Sequence, residues 1–328
     1  PNGVYMHPNF DKYKAVSNQI HAIWDTYTDL SETIALDEAY LDVTDRAGSF
    51  ENARRIALLI KSRIYHELNL TCSVGVAYSK TAAKTASEEK KPDGYFEIPT
   101  AEDYVSLMID RDVRSIYMVG AMTAQKLRSL GIYTVKDIQN SREELIRRFG
   151  KQGQMIVNLA FGIDDRKVIP YRPEDAKSIS REITFQEDVD DPEFLKDVLI
   201  LLSLCVENRA RRYELHGQGV ALKITYADMK SITRSQIISQ TDSAAVIYEE
   251  AVRLLDKVER RPVRLIGVGL YNLFGEENRQ LSLEDVVGSL KLKETDKMHD
   301  LLDALKEKYH LDFEGHLQEI YRSETLYS

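Results

Sequence analysis

The chain has 328 residues, a formal net charge of −9 and two cysteines, Cys72 and Cys205. Its length predicts two or three domains, and a content of 43% hydrophobic and 30% charged residues is typical of a globular protein. No apolar run approaches the roughly 18 residues of a membrane-spanning helix, so we expect no membrane partner. Cysteines in apolar surroundings indicate buried thiols and a cytoplasmic protein. The acidic balance disfavours nucleic-acid binding unless a local basic face exists.

The first 98 residues alternate helices and strands. Helical spacing of apolar residues predicts helices at residues 10–30, 50–68 and 80–90. Short β-branched and aromatic runs predict strands at residues 4–6, 71–78 and 95–98, and a further strand around Asp37. This order is typical of an α+β sheet with helices on one face, such as a ferredoxin-like unit.

From residue 99 to about residue 172 the pattern is helical, with short glycine turns. These turns contain Gly120, Gly131, Gly150 and Gly162. Helix, glycine turn, helix is the layout of a helix-hairpin-helix module, whose turn amides can hold a phosphate. A small helical domain whose glycines only cap helices fits the same pattern. Both interpretations stay open at this point.

A linker with Pro170 and Pro173 precedes a second α/β region. Alternating apolar residues predict strands at residues 177–187, 220–226, 232–238 and 263–270. Helical patterns lie between them at residues 192–215 and 243–258. The resulting β-α-β-β-α-β order predicts a second small domain. The polar tail after residue 275 contains one predicted helix at residues 294–309.

Asp37 and Glu38 stand side by side within the apolar stretch of residues 35–44. Neighbouring strand residues point to opposite faces, but a bend at a strand end can bring both carboxylates to one site. Carboxylate oxygens are the ligands that Mg²⁺ prefers, usually together with a substrate phosphate. A solvated acidic turn is the alternative interpretation.

Several blocks, in order, carry a resemblance to a known family. The first half contains LDEAYLD at 36–42, SVGVA at 73–77, SKTAAK at 79–84, KKPDG at 90–94, TAQKL at 123–127 and LAFGID at 159–164. The second half contains KSISRE at 177–182, YAD at 226–228, ITRS at 232–235 and RPVRLIGV at 261–268. Together, over about residues 1–285, they resemble the bacterial Y-family translesion DNA polymerases of the DinB/UmuC group.

The resemblance implies an α+β multidomain fold. It comprises a partial ferredoxin-like palm at residues 1–98, a helix-hairpin-helix thumb at 99–173, a β-α-β-β-α-β little finger at 174–274 and a clamp-binding tail at 275–328. The implied activity is template-directed DNA synthesis past damaged bases, by nucleotidyl transfer with two Mg²⁺ ions, in the DNA repair of the SOS response. Asp37 would bind both ions, Glu38 would bind the ion at the primer hydroxyl, and Lys91 would reach the triphosphate of a dNTP.

The resemblance also implies contacts with primer-template DNA and with the bacterial sliding clamp. The expected DNA contacts are Lys80 and Lys84 in the palm, Gly120 and Gly131 in the thumb, and Ser178, Ser180, Arg181, Thr233 and Arg234 in the little finger. Such contacts position DNA rather than specify its sequence. The expected clamp-binding peptide is Gln280, Leu281, Ser282 and Leu283, an extended segment whose leucines would fill an apolar groove.

The chain departs from the family pattern in two places. The family's first palm strand and fingers, with a further metal-binding aspartate, have no counterpart before residue 1, so we expect the 328-residue chain to be an inactive fragment. At the first thumb turn, Tyr117-Met118-Val119-Gly120 replaces the family's Pro-Gly-Ile-Gly, which removes one glycine suited to positive φ. The alternatives are a non-catalytic DNA- and clamp-binding module and a nucleotide cyclase with a similar palm. The regions after residue 99 disfavour the cyclase.

Overall fold

The computed structural model describes residues 3–4, 6, 8–172, 175–275, 300–305 and 308. The chain forms two compact units, Pro1–Tyr171 and Arg172–Ser328. Each unit mixes helices and strands, which confirms the predicted α+β class. The predicted strand at residues 4–6 is wrong for Val4 and Met6, which are not in a strand.

The first part of unit one contains four helices and four strands. The helices are α1 (Phe10–Trp24), α2 (Thr44–Ala47), α3 (Phe50–Leu68) and α4 (Lys80–Glu89). The strands are β1 (Ser31–Ala35), β2 (Glu38–Leu41), β3 (Val74–Ala77) and β4 (Tyr95–Ile98). Strands β1 and β2 form an antiparallel hairpin, and β3 pairs with β4 in parallel. Among the described residues these are two separate sheets, whereas the ferredoxin-like prediction expects one.

The hairpin β1–β2 packs mainly on α1 and α3, whereas β3 and β4 contribute Ala77, Phe96 and Ile98 to a second core. The hairpin contributes Ala39 and Leu41 to a cluster with Ile60 and Ile64 of α3 and with Trp24 of α1. Successive strand residues point to opposite faces. The side chains of Glu38 and Tyr40 therefore point away from α1 and α3.

Five α-helices and a 3₁₀ turn complete the described part of unit one. They are α5 (Ala101–Met108), the 3₁₀ turn Val113–Ser115, α6 (Ala121–Arg128), α7 (Val135–Asn140), α8 (Arg142–Phe149) and α9 (Lys151–Ala160). Their apolar faces share one core with Ala82 and Ala86 of α4 and Ile98 of β4. Helix α4 is therefore fixed between the sheet β3–β4 and the helical region. This packing sets the position of its polar face relative to the hairpin.

The second unit has the element order β-α-β-β-α-β. Its elements are β5 (Ser178–Val189), α10 (Pro192–Arg212), β6 (Leu215–Tyr226), β7 (Ser231–Thr241), α11 (Ala244–Leu255) and β8 (Val263–Gly275). The strands form one antiparallel sheet in the order β5-β8-β6-β7. Both helices pack on the face that carries Ile183, Leu222 and Val268, and the opposite face lacks a covering helix among the described elements. Residues 300–305 of the predicted tail helix are also helical.

Candidate active site

The Asp37–Glu38 pair lies at the tip of the β1–β2 hairpin. Leu36 and Asp37 form the turn, and Glu38 begins β2 opposite Ala35. The Ser17 hydroxyl of α1 donates to the Leu36 carbonyl, which ties the turn to the helix. Asp37 is exposed and Glu38 is partly buried, so both carboxylates can be reached from solvent. The predicted strand around Asp37 is therefore two strands with the aspartate at the bend between them.

Two lysines one helical turn apart on α4 point at this hairpin. Lys80 Nζ lies 2.6 and 2.5 Å from the two carboxylate oxygens of Glu32 and 5.0 Å from the centre of the Tyr40 ring. Burial opposes ionisation of Glu32, but the hydrogen bonds from Lys80 and the Ile169 amide, with the charges of Lys80 and Arg166, together lower the carboxyl pKa. The Lys80 side chain is only 10% exposed, so little of its ammonium remains for a phosphate.

Lys84 contacts the predicted metal ligand directly. Its Nζ lies 3.0 Å from Glu38 Oε1 and also 3.0 Å from Glu88 Oε1, one turn further along α4. Burial disfavours the charged lysine, but the hydrogen bonds to Glu38 and Glu88 outweigh burial and raise the Lys84 pKa. Lys84 is therefore a counter-charge of the carboxylate site rather than a free phosphate contact.

Lys91, the predicted triphosphate contact, follows α4 and joins the same group. Its Nζ lies 2.8 Å from Glu88 Oε1, and its side chain is 47% exposed. The hydrogen bond from Lys91 is the main reason why the Glu88 pKa is lowered. The structure thus connects the predicted metal ligand Glu38 to Lys91 through Lys84 and Glu88, although 53 positions separate Glu38 from Lys91 in the sequence.

A buried carboxylate that sequence reasoning missed fixes the start of α4. Asp164 is 3% exposed and accepts from Thr81 N at 2.9 Å and Thr81 Oγ1 at 2.7 Å. Arg166 Nε donates to the same carboxylate at 2.7 Å. Burial alone would raise the Asp164 pKa, but Arg166 and Thr81 hold it well below its ordinary value. This carboxylate anchors α4, and with it Lys80 and Lys84, to the segment after α9.

The glycine turns of the helical region differ in whether a side chain caps the helix that follows. Gly120 begins α6 with φ −75° and no side-chain cap, so the first amides of that helix have no capping side chain. Gly131, with φ 79°, lies in the turn after α6, which ends at Arg128, and its N–H donates to the Arg128 carbonyl at 2.9 Å. The next helix, α7, is capped by its own Thr134 and Asp137. Gly131 therefore lies in the turn after the Ser129 C-cap, where its N–H already bonds a backbone carbonyl, and its contact with phosphate stays a prediction.

Two further residues of this region bear on anion binding. Gly150 begins α9 with no side-chain cap and was not among the predicted contacts. Met118 takes φ 81°, so the turn before Gly120 keeps a left-handed residue although glycine is absent there. A positive φ is unfavourable for a residue with a Cβ, so this turn carries local backbone strain.

The open face of the second sheet contains a trough of about 350 Å³. Ser178 and Ser180 of β5 line one side and Thr233 of β7 lines the other. Gly267 and Gly269 form its floor, and a Cβ on Gly269 would lie 2.8 Å from the Ser180 Cβ. The floor is therefore low enough for another backbone to approach closely.

The two predicted arginine contacts of this sheet are not on the open face. Arg181 alternates with Ser180 and lies on the same side as buried Ile179 and Ile183. Arg234 pairs across the strands with buried Leu222, so it belongs to the helix side at the sheet edge. The basic residue of the trough is Lys223, which the sequence prediction missed and which pairs with Glu182 at 2.7 Å.

The predicted clamp-binding residues, Gln280 to Leu283, lie outside the described residues. Within the described ranges, no helix is both long enough and apolar enough to cross a lipid bilayer. In the same ranges, no three or more His, Cys, Asp or Glu side chains are grouped so that they could hold a metal ion. The hairpin therefore offers a pair of carboxylates, not a complete protein cage.

Comparison with known proteins agrees with this architecture. Residues 1–88 match the impB/mucB/samB family, and residues 176–283 match the C-terminal domain of that family. The chain belongs to this family, the DinB-like Y family of DNA polymerases.

Individual relatives give the same result. The chain is 38% identical over 277 residues to DNA polymerase IV of Listeria monocytogenes serotype 4b, covering 83% of this chain and 77% of that protein. A Y-family DNA polymerase chimera is structurally similar, with a TM-score of 0.74, 27% identity and coverage of 84% of this chain and 80% of the other. The insertion ternary complex of Dbh DNA polymerase matches with a TM-score of 0.56 and 26% identity over 83% and 79% of the chains.

Proposed function

We propose that this protein is a translesion DNA polymerase whose chemistry takes place at the tip of the β1–β2 hairpin. The observation that carries the proposal is the placement of Asp37 and Glu38 at one bend, joined through Lys84 and Glu88 to Lys91. Carboxylates for metal and a lysine for phosphate are the groups that phosphoryl transfer needs at fixed positions. Family membership supports the reaction, because the matched relatives are DNA polymerases.

The donor set at the hairpin fits Mg²⁺. This ion is usually bound through one or two carboxylates plus substrate phosphates rather than by a dedicated protein cage. Asp37 and Glu38 would supply the two carboxylates from the bend of the hairpin. When bound, two Mg²⁺ ions would neutralise the attacking and leaving oxygens of the transfer. Lys91 would bind the outer phosphates and offset charge on the departing pyrophosphate.

Primer-template DNA would be held away from this chemistry by neutral groups. The uncapped amides at the start of α6, next to Gly120, can receive a backbone phosphate. On the second unit, the hydroxyls of Ser178, Ser180 and Thr233 can follow a sugar-phosphate backbone along the glycine floor. One structural neighbour is an insertion ternary complex of a DNA polymerase, which supports DNA and nucleotide as partners.

We also propose that Gln280 to Leu283 bind the sliding clamp, on the basis of their sequence pattern. A cytoplasmic location fits the two free thiols, Cys72 and Cys205. The second candidate function is a non-catalytic DNA- and clamp-binding module. It is favoured by the number of carboxylates at the hairpin, because the described residues contain no group of three or more His, Cys, Asp or Glu side chains that could hold a metal ion. Under either function, we expect the 328-residue polypeptide to extend primers poorly or not at all.

Primer extension with this polypeptide tests the proposal. Weak, Mg²⁺-dependent extension that Glu38→Gln abolishes would support a polymerase whose metal site is only loosely held. DNA binding with no extension under any divalent ion would favour the non-catalytic module. Robust extension would show that the expectation of an inactive fragment is wrong, and extension unaffected by Glu38→Gln would remove Glu38 from the site.

A further inference from the structure

Four side chains of alternating charge run from the hairpin to the end of α4. Lys84 Nζ lies 3.0 Å from Glu38 Oε1 and 3.0 Å from Glu88 Oε1. The same Glu88 oxygen lies 2.8 Å from Lys91 Nζ. Because one atom of Glu88 accepts from both lysines, a change in either contact alters the other.

The two lysines of this row of charges, Lys84 and Lys91, differ in how freely their side chains can move. The Lys84 side chain is 18% exposed, and its ammonium sits between two carboxylates. Lys91 and Glu88 are 47% and 46% exposed, so Lys91 can move into solvent. A positive charge added at Glu38 repels the Lys84 ammonium, and the other carboxylate already in contact with it is Glu88.

We propose that Lys84 and Glu88 are positioning residues that couple cation binding at Glu38 to the release of Lys91. The proposal rests on the metal site proposed above. With a divalent ion at Glu38, the Lys84 ammonium would move towards Glu88 and approach the shared oxygen more closely, where its positive charge repels the Lys91 ammonium. Lys91 leaves Glu88 and becomes available to triphosphate oxygens. Capture of a nucleotide by Lys91 thus follows metal binding through side chains of α4.

NMR of lysine side chains in the whole chain, labelled at lysine Cε, tests the coupling without measuring activity. In the wild type, added Mg²⁺ should shift the signals of both Lys84 and Lys91. In Glu88→Gln, the Lys84 signal should still respond, whereas the Lys91 response should fall to that of Lys126, a reference lysine on α6. Glu67→Gln removes a comparable i,i+4 acceptor, that of Arg63 on α3, and should leave both responses unchanged.

The variants separate the coupling from the metal site. A Lys91 response to Mg²⁺ that persists in Glu88→Gln would overturn the coupling and leave the metal site standing. Equal responses of Lys84 and Lys91 in Glu38→Gln and in the wild type would show that the ion does not bind at Glu38, which overturns the proposed site itself. Loss of both responses in Glu38→Gln, with loss of only the Lys91 response in Glu88→Gln, is the pattern that the coupling predicts.

Discussion

The hairpin site of unit one and the open sheet face of unit two are opposite kinds of surface. Around the hairpin, carboxylates and ammonium groups pair at 2.5 to 3.0 Å and form a chain of charges. The trough of the second unit is lined by hydroxyls, glycines, Ala221 and Tyr271, with one ion pair, Lys223 with Glu182. Fixed charges suit a reaction at one phosphate, whereas a neutral trough suits a long backbone of any sequence.

Under the proposed function, this difference would allow a chain with a net charge of −9 to hold a polyanion. Acidic residues near the end of β5 serve structural purposes: Asp188 pairs with Arg264 at 3.5 Å, and Asp191 caps α10. They do not line the trough. The net charge of the chain is therefore a poor guide to its binding face, because the charges are segregated.

The largest effect is expected at the charged site. In any form of the protein that extends primers, Glu38→Gln keeps the side-chain shape but removes a charge from the metal site, so incorporation should fall by roughly 10³-fold or more. DNA affinity should stay nearly unchanged, because we propose that DNA is held mainly by the trough. Single-turnover kinetics and fluorescence anisotropy measure the two quantities. A comparable loss of DNA affinity would contradict the assignment of chemistry to the hairpin and of DNA binding to the trough.

The anchor of α4 should be the largest stability determinant near the site. Asp164→Asn leaves Arg166 and the Thr81 amide without their carboxylate and should cost about 3 kcal/mol of unfolding free energy. Because the Asp164 pKa is depressed in the folded protein, its contribution is present above the ordinary value of 3.8 and is lost as the pH falls further. Urea denaturation at neutral and acidic pH measures this. Asp29→Asn, at an exposed pair with Arg46, is the control and should be silent.

Substitutions of Lys223, on the open face, and of Arg234, on the helix side, should differ in their effect on DNA binding. Lys223→Ala should weaken binding to unrelated primer-templates alike and flatten the log–log salt dependence by about one unit. Arg234→Ala should change the slope less, since Arg234 belongs to the other side of the sheet. Anisotropy titrations with two DNA sequences at several salt concentrations compare them. A larger effect of Arg234 would place the DNA at the sheet edge instead of in the trough.

The smallest effects are expected at the glycine turns. Gly131→Ala should cost about 1 kcal/mol, because φ is 79° there, and should leave DNA affinity unchanged. Gly120→Asp should cap α6 and stabilise the protein by about 0.5 kcal/mol, while its charge repels phosphate and weakens DNA binding. Gly120→Ser caps without the charge and should weaken binding less. If all three variants bind DNA with the affinity of the wild type, the start of α6 does not contact DNA.

The hairpin site could be predicted because both carboxylates lie in one contiguous stretch. Its supports could not, because Lys84 meets Glu38 from 46 positions away and Asp164 meets Thr81 from 83 positions away. These contacts depend on how α4 packs against the helical region, which the local pattern does not encode.

The second sheet shows a different limit. The prediction treated the neighbours Ser180 and Arg181, and likewise Thr233 and Arg234, as sharing a face, but strand alternation separates them. That alternation was available from the sequence. The place of Lys223 in the trough could not be predicted from the sequence, because its position opposite Thr233 depends on the register of β6 and β7.

Mn²⁺-induced broadening of backbone amide NMR signals tests most directly whether the hairpin carboxylates hold the ions. Because broadening falls steeply with distance from the ion, it marks the binding site without requiring turnover. The signals of Asp37, Glu38 and Ala39 should broaden at the lowest Mn²⁺ concentrations, and Glu38→Gln should shift this broadening to much higher concentrations. Broadening that begins instead at the acidic residues 187–191, or that is unchanged in Glu38→Gln, would contradict the assignment of the metal site.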